Sequence, residues 1–420
     1  MSDLHANLQA PYKQQADPKE AVPGKQAGRF YLISQLVINL ICIFILTLGI
    51  SGLVSGALMS LAVWMEIDSA VRLLTLAFVN AGILILILPS TICHFGLLIG
   101  KPQWEAFFKP DKRWLTIGLI IFPIALGMGI FFSTTGGPLF IFIPPLNLLA
   151  VGIPLAAIFA LSTRSLQRGS VHRNWGILSF GLTVTPVIIM VLETLLIVTL
   201  VGAVVFVLLR GGTDVMLTLN RLQVRLSNNG MNPEGIIRIL QPYMRYPLTY
   251  YLLISIMCGF VPLLEELLKP LGCWFLLNRR LSPQEGFTAG VLSGLAFSMV
   301  ESMNALTMVM NSGWGISVVM RIGTALLHTG TSGLIGWALA GCIQDGRYLR
   351  LAVSYLTAVI FHGVWNLMVV LSLINSFSKD DSLLITMGNT PYIGLIVLTV
   401  TMGAFLYGSN RLLSKQNALP

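Results

Sequence analysis

YPLTYYLLISIMCGFVPLLEELLKPLGCWFLL, residues 246–277, is long and apolar enough to cross a bilayer, yet it carries two adjacent carboxylates and a lysine near its middle. About 20 apolar residues suffice for a transmembrane helix. An ionisable side chain at that depth costs a few kcal/mol or more, so it is kept where it has a task or a partner. On a helix, Lys269 shares a face with Glu265 one turn earlier. Two readings fit Glu265-Glu266-Leu267-Leu268-Lys269. In one, the lysine holds one carboxylate ionised while the other accepts a proton. In the other, the motif is a salt-bridged helix end near the cytoplasmic face, with Arg279 and Arg280 just beyond.

The rest of the chain repeats the apolar pattern. Of 420 residues, 55% are hydrophobic and 10% charged, against about 25% charged in soluble domains. Apolar runs cover roughly 31–62, 72–99, 115–134, 140–161, 176–209, 246–277, 286–310, 316–341, 349–376 and 383–407. The fold class is therefore all-α, a polytopic transmembrane helix bundle of about ten spans. Several runs exceed the need and must tilt or break, with Pro186 and Pro262 as the places for breaks. Residues 1–29 read as a disordered cytoplasmic tail, rich in Pro, Lys and Gln.

Charge gives the orientation. Lys101, Arg113, Arg164, Arg168, Arg173, Arg347, Arg350, Arg411 and Lys415 fall in loops on one side, whereas 134–138 and 311–315 carry no charge. Both termini are expected in the cytoplasm, and the membrane is expected to be the plasma (inner) membrane. Residues 211–245, with Arg221, Arg225, Arg238 and Arg245, break the alternation and read as an amphipathic connecting segment. The net charge of +9 belongs to these loops and is no signal for nucleic acid. Five cysteines without a C-x-x-C pair argue against a disulfide framework or a cysteine-ligated zinc site.

Three more apolar runs each hold isolated polar residues. Glu301 stands in Phe297-Ser298-Met299-Val300-Glu301, behind the close-packing pair Gly290 and Gly294. It is either a functional carboxylate or a protonated, hydrogen-bonded core residue. Arg321, Thr324 and His328 share a face at i, i+3 and i+7, and His328 reads as a ligand or as a structural hydrogen-bonder. His362 and Asn366 stack at i and i+4, suited to a metal or to an oxyanion. Taken singly, each motif is weak. Together, four helices put a carboxylate or an imidazole at a common depth, and the expectation is one polar site inside the membrane. Two His with one or two Glu also match a catalytic zinc set with an open position for water.

Taken in order, Glu-Glu-x-x-Lys, Phe-x-x-x-Glu, a lone His before a Gly-rich half-helix and His-x-x-x-Asn resemble the PrsW family of intramembrane proteases. That family is distantly similar to the CAAX prenyl endopeptidases and bacteriocin-immunity-type membrane proteases. The resemblance covers about residues 255–370. It departs in one place: the family pattern calls for Asn directly after the motif-two Glu, and Ser302 stands there. The resemblance implies that Glu265 and Glu266 supply a general base, that His328 and His362 bind the attacking water or a metal that holds it, and that Asn366 supports the oxyanion. Glu266, Glu301, His328 and His362 are the candidate metal ligands, and Lys269 and Arg321 the supporting charges. Zinc and metal-free catalysis are both compatible with the set.

The expected function is thus an intramembrane endopeptidase acting on membrane-anchored protein substrates within the lipid bilayer. A proton-coupled transporter would use similar midplane groups, and a catalytically silent scaffold of the same family is the third reading. The expected organisation is an N-terminal helical layer at 30–210, the connecting segment 211–245, a catalytic core at 246–376, and a last helix and tail at 377–420. Glu193 and His94 are the buried ionisable exceptions in the first layer.

Overall fold

The structure is a computed structural model that describes residues 28–64, 67–101, 112–210, 247–274, 281–309, 313–377 and 388–415, with four further residues between 217 and 224. The tail through residue 27, most of 211–245 and the pair Arg279–Arg280 lie outside the described residues.

Among the described residues, ten helical segments are long and apolar enough to cross a membrane. The helices are α1 (Arg29–Met59), α2 (Ile67–Leu98), α3 (Lys112–Thr135), α4 (Ile143–Ser162), α5 (Val171–Arg210), α6 (Pro247–Ile254), α7 (Val261–Leu268), α8 (Leu271–Trp274), α9 (Pro283–Met308), α10 (Trp314–Asp345), α11 (Tyr348–Phe377) and α12 (Thr390–Lys415). Together α6, α7 and α8 make one interrupted span. The described chain contains no strand.

The centre of the bundle is the pair α9 and α10. In each, 72% of the apolar window is buried, against 6% in α1. Lipid tails are as apolar as leucine, so helices in a membrane associate through close packing of small residues. Gly286, Gly290 and Gly294 on α9 do this against Gly336, Ser332 and His328 on α10. A Cβ on any of the three would strike the facing backbone carbonyl, at 2.5 Å for Gly286 against Gly336. This close crossing brings Glu301 of α9 level with His328 of α10.

Around the pair, α2–α5 pack on it with α1 outside them against α2, while α11 and α12 pack on α10. The outer faces are apolar and open: Phe44, Ile45 and Leu48 on α1 and Ile393, Ile396 and Val400 on α12 are exposed, as lipid-facing residues should be. At one end, Asn410 of α12 donates to the Ser162 and Arg164 carbonyls at 3.0 and 2.6 Å. There too, Arg173 of α5 pairs with Glu285 of α9 at 2.7 Å. Ser282 and Glu285 form a capping box that starts α9.

The two prolines behave differently. Pro186 does not break α5, which runs unbroken from Val171 to Arg210; a membrane helix tolerates proline where neighbours re-satisfy the freed backbone. Pro262 follows a π-helical turn, Ser255–Phe260. Proline has no N–H, so the Cys258 carbonyl loses its helical donor. α11 covers this defect. A Cβ on Gly363 would lie 2.5 Å from the Cys258 oxygen, Asn366 Nδ2 donates to the Met257 carbonyl at 2.7 Å, and Tyr355 Oη donates to the Leu263 carbonyl at 2.8 Å. The turn rotates α7 so that Glu265, Glu266 and Lys269 point into the bundle, where all three are buried.

Candidate active site

Lys269 is the hub. Its side chain is fully buried, and its Nζ lies 2.9 Å from Glu265 Oε2, 2.8 Å from Glu266 Oε1 and 2.7 Å from His328 Nδ1. The contacts to Glu266 and His328 have hydrogen-bond geometry, and that to Glu265 is an ion pair. His362 Nδ1 stands slightly further off, at 3.4 Å. The Phe297 ring closes the fourth side, 4.9 Å from the ammonium and edge-on to His328.

The two imidazoles are oriented from outside. His328 Nε2 is 2.7 Å from Glu301 Oε2. A carboxylate only accepts, so the proton sits on Nε2 and Nδ1 presents its lone pair to the centre. Glu301 is in turn held by Arg321 at 2.6 Å. Arg321 Nε donates to the Ser302 hydroxyl at 3.0 Å, so Ser302 has a partner in the position where the family pattern has Asn. His362 Nδ1 donates to Glu266 Oε1 at 2.8 Å, and its Nε2 lies 3.9 Å from Glu265 Oε2. The two rings meet edge to face with centroids 5.1 Å apart.

Glu265, Glu266, Glu301, His328 and His362 therefore come together from α7, α9, α10 and α11, joined by Lys269 and Arg321. Asn366 does not join them, because its amide is spent on the π-turn one helical turn away. One further acid does join. The carboxyl of Glu193, on α5, lies beside that of Glu265. In the sequence it is a single acid in an apolar run, with no motif around it to tie it to α7.

Four helices thus bring two imidazoles and three carboxylates into one linked cluster, in the motif order noted above. A family model described as PrsW family intramembrane metalloprotease matches residues 175–402. The chain belongs to the PrsW family. It is a multi-pass membrane peptidase. Neither a curated protein nor a solved structure matches it. The PrsW match begins within α5, so Glu193 falls inside it while α1–α4 fall outside.

The PrsW description implies a metal, and the donors here can be tested for one. Glu265, His328 and His362 each offer a ligand atom, and these atoms lie within 4.8 Å of one another. Glu265 Oε2 and Glu266 Oε2 are buried without a hydrogen-bond partner. Two imidazoles and a carboxylate are a donor set that suits zinc. The Glu301–His328 bond supplies the outer-sphere carboxylate that metal-binding histidines usually have. The residues fit a metal ion. The set differs from the sequence-derived one in Glu265, which replaces Glu266 and Glu301. Glu301 serves the far nitrogen of His328, and Glu266 the near side of His362. The Lys269 ammonium draws on the same donors, so it and a divalent ion compete for them.

Proposed function

We propose that the protein hydrolyses peptide bonds of membrane-anchored proteins at the Glu265–Glu266–His328–His362 cluster, with Glu266 as general base. The observation that carries this reading is the convergence of these four side chains on one buried point between membrane-crossing helices. Glu266 is anchored through Oε1 by Lys269 and His362, while its Oε2 has no partner. An anchored carboxylate with a free oxygen can take a proton from water in a fixed direction. The water oxygen bonds to the scissile carbonyl carbon, the C–N bond breaks, and Glu266 returns the proton to the leaving nitrogen. The negative charge on the carbonyl oxygen is met by the Lys269 ammonium, a cation already in place before the reaction.

When a divalent ion is bound, it polarises the carbonyl and acidifies the attacking water. Glu265, His328 and His362 would hold it, and Glu301 and Arg321 hold His328 in register. Asn366 acts at a distance: it fixes the π-turn from which α7 departs. The catalytic core is 246–376 with α5 as an added wall, and α1–α4 form a peripheral layer. Both termini lie in the cytoplasm of a plasma-membrane protein, with Arg164, Arg168, Arg173, Arg350 and Arg411 on that side.

The test is co-expression with membrane-anchored reporter proteins and detection of their fragments. Glu266→Gln should reduce cleavage by about 100-fold or more while the protein still inserts. Unchanged cleavage in Glu266→Gln and in His362→Ala would falsify the assignment.

A further inference from the structure

A second cluster of titratable rings lies outside the residues of the PrsW match. His94 of α2 is completely buried. Its Nδ1 is 2.7 Å from the Ser90 carbonyl, an oxygen that can only accept, so the proton is on Nδ1 and Nε2 carries a lone pair. That Nε2 is buried without a hydrogen-bond partner. Ser90 is itself held, since its hydroxyl donates to the Asn39 side-chain oxygen of α1 at 3.0 Å. The ring of His172, at the start of α5, stands edge-on to His94 with centroids 6.1 Å apart. Tyr31 of α1 completes a triangle, 5.7 Å from His94 and 6.4 Å from His172.

A glycine lets the Tyr31 hydroxyl come close to these rings. A Cβ on Gly176, one turn after His172, would sit 2.5 Å from Tyr31 Oη and 3.5 Å from His94 Nε2. Leaving a buried acceptor unmet is unfavourable, and three apolar rings would avoid that cost. A histidine whose far nitrogen is tied to a backbone carbonyl while its near nitrogen is bare has the arrangement usual for a metal ligand. Imidazoles that share one ion through Zn–N bonds of ~2.1 Å put their ring centres roughly 5–6 Å apart, which the 6.1 Å separation here approaches.

We propose that His94, His172 and Tyr31 form a second metal site, for a single divalent transition ion of the zinc type. Two imidazoles and a phenol oxygen are donors that such ions accept. The ion joins α1, α2 and α5. It therefore fastens the peripheral layer to the helix that carries Glu193 into the active site. The proposal does not rest on the catalytic reading, because no residue is shared.

The test is zinc binding to the full-length protein in detergent, stripped by chelator, dialysed against zinc chloride and analysed by elemental mass spectrometry. Wild type and His362→Ala should both retain an equivalent per chain that His94→Ala loses. Zinc should raise the melting temperature of wild type but not of His94→Ala. Gly176→Ala leaves both imidazoles and the helix intact and displaces the Tyr31 hydroxyl, so it gives the reading even if His94→Ala fails to insert. Its zinc affinity should fall by about 10-fold or more. Equal zinc content in wild type, His94→Ala and Gly176→Ala overturns the proposal, as does a wild-type chain whose bound zinc is lost entirely in His362→Ala.

Discussion

Lys269 Nζ stands 2.7 Å from Nδ1 of His328, 59 residues away and on another helix. A cation held against the lone pair of an imidazole, with two carboxylates closing round it, makes this lysine the centre of the site. Lys269 is paired by sequence spacing with Glu265 alone, since i and i+4 are all that the spacing displays. Its contact with His328 depends on the close crossing of α9 and α10.

Removing Lys269 leaves Glu266 as an uncompensated charge with no exposure. Breaking a buried pair from one side costs about 3–5 kcal/mol. Lys269→Ala should therefore lower stability sharply, and Lys269→Met with Glu266→Gln should recover much of the loss. Thermal melts in detergent of the single and double variants measure this. A Lys269→Ala protein as stable as wild type contradicts the hub.

Lys269 also competes with a metal for Glu265 and His328. Lys269→Met with Glu266→Gln should thus bind zinc at the active site more tightly than Glu266→Gln alone, by about 10-fold or more, the range that a near neighbour of a metal site commands. Zinc titration of the two proteins, with His362→Ala added as the control that abolishes the site, decides it. Equal affinities count against a shared donor set.

Asn366 separates two roles. If it only clamps the Met257 carbonyl, Asn366→Ala should lower the melting temperature and reduce reporter cleavage by less than about 10-fold. A lost oxyanion donor costs about 100-fold or more. A two-decade loss with an unchanged melting temperature would move Asn366 into the reaction and away from the π-turn.

Arg321 holds Glu301, whose side chain is 37% exposed, and through it the proton on His328 Nε2. Arg321→Gln should slow cleavage by about 10-fold at little cost to insertion, with partial rescue in Arg321→Lys. The remaining donors on Glu301, His328 itself among them, are why the effect is smaller than for Glu266. Full activity in Arg321→Gln makes the arginine a bystander.

Gly290 and Gly294 set the distance between α9 and α10. Gly294→Leu should drive the helices apart and abolish both the Glu301–His328 bond and cleavage, because its side chain meets the His328 backbone. Gly202→Leu on α5, where nothing lies within 4 Å, is the matched control. Similar activity in the two variants means that the crossing is not what assembles the site.

The sequence alone determined the class of the protein and most of the site's membership. Ten apolar runs leave no other home than a bilayer, and Glu265, Glu266, Glu301, His328 and His362 are legible because a polar group in an apolar run is expensive wherever the run ends up. Sequence spacing reports neighbours on one helix and nothing across helices. Hence the tertiary structure alone decided that Glu193 reaches Glu265, that Asn366 turns to the Met257 carbonyl of the π-turn, and that His94 and His172 stand ring to ring. It also decided which carboxylate serves which histidine. Glu265 and Glu266 differ by one position, about 100° of helix rotation, and the π-turn before Pro262 sets the direction from which that rotation is counted.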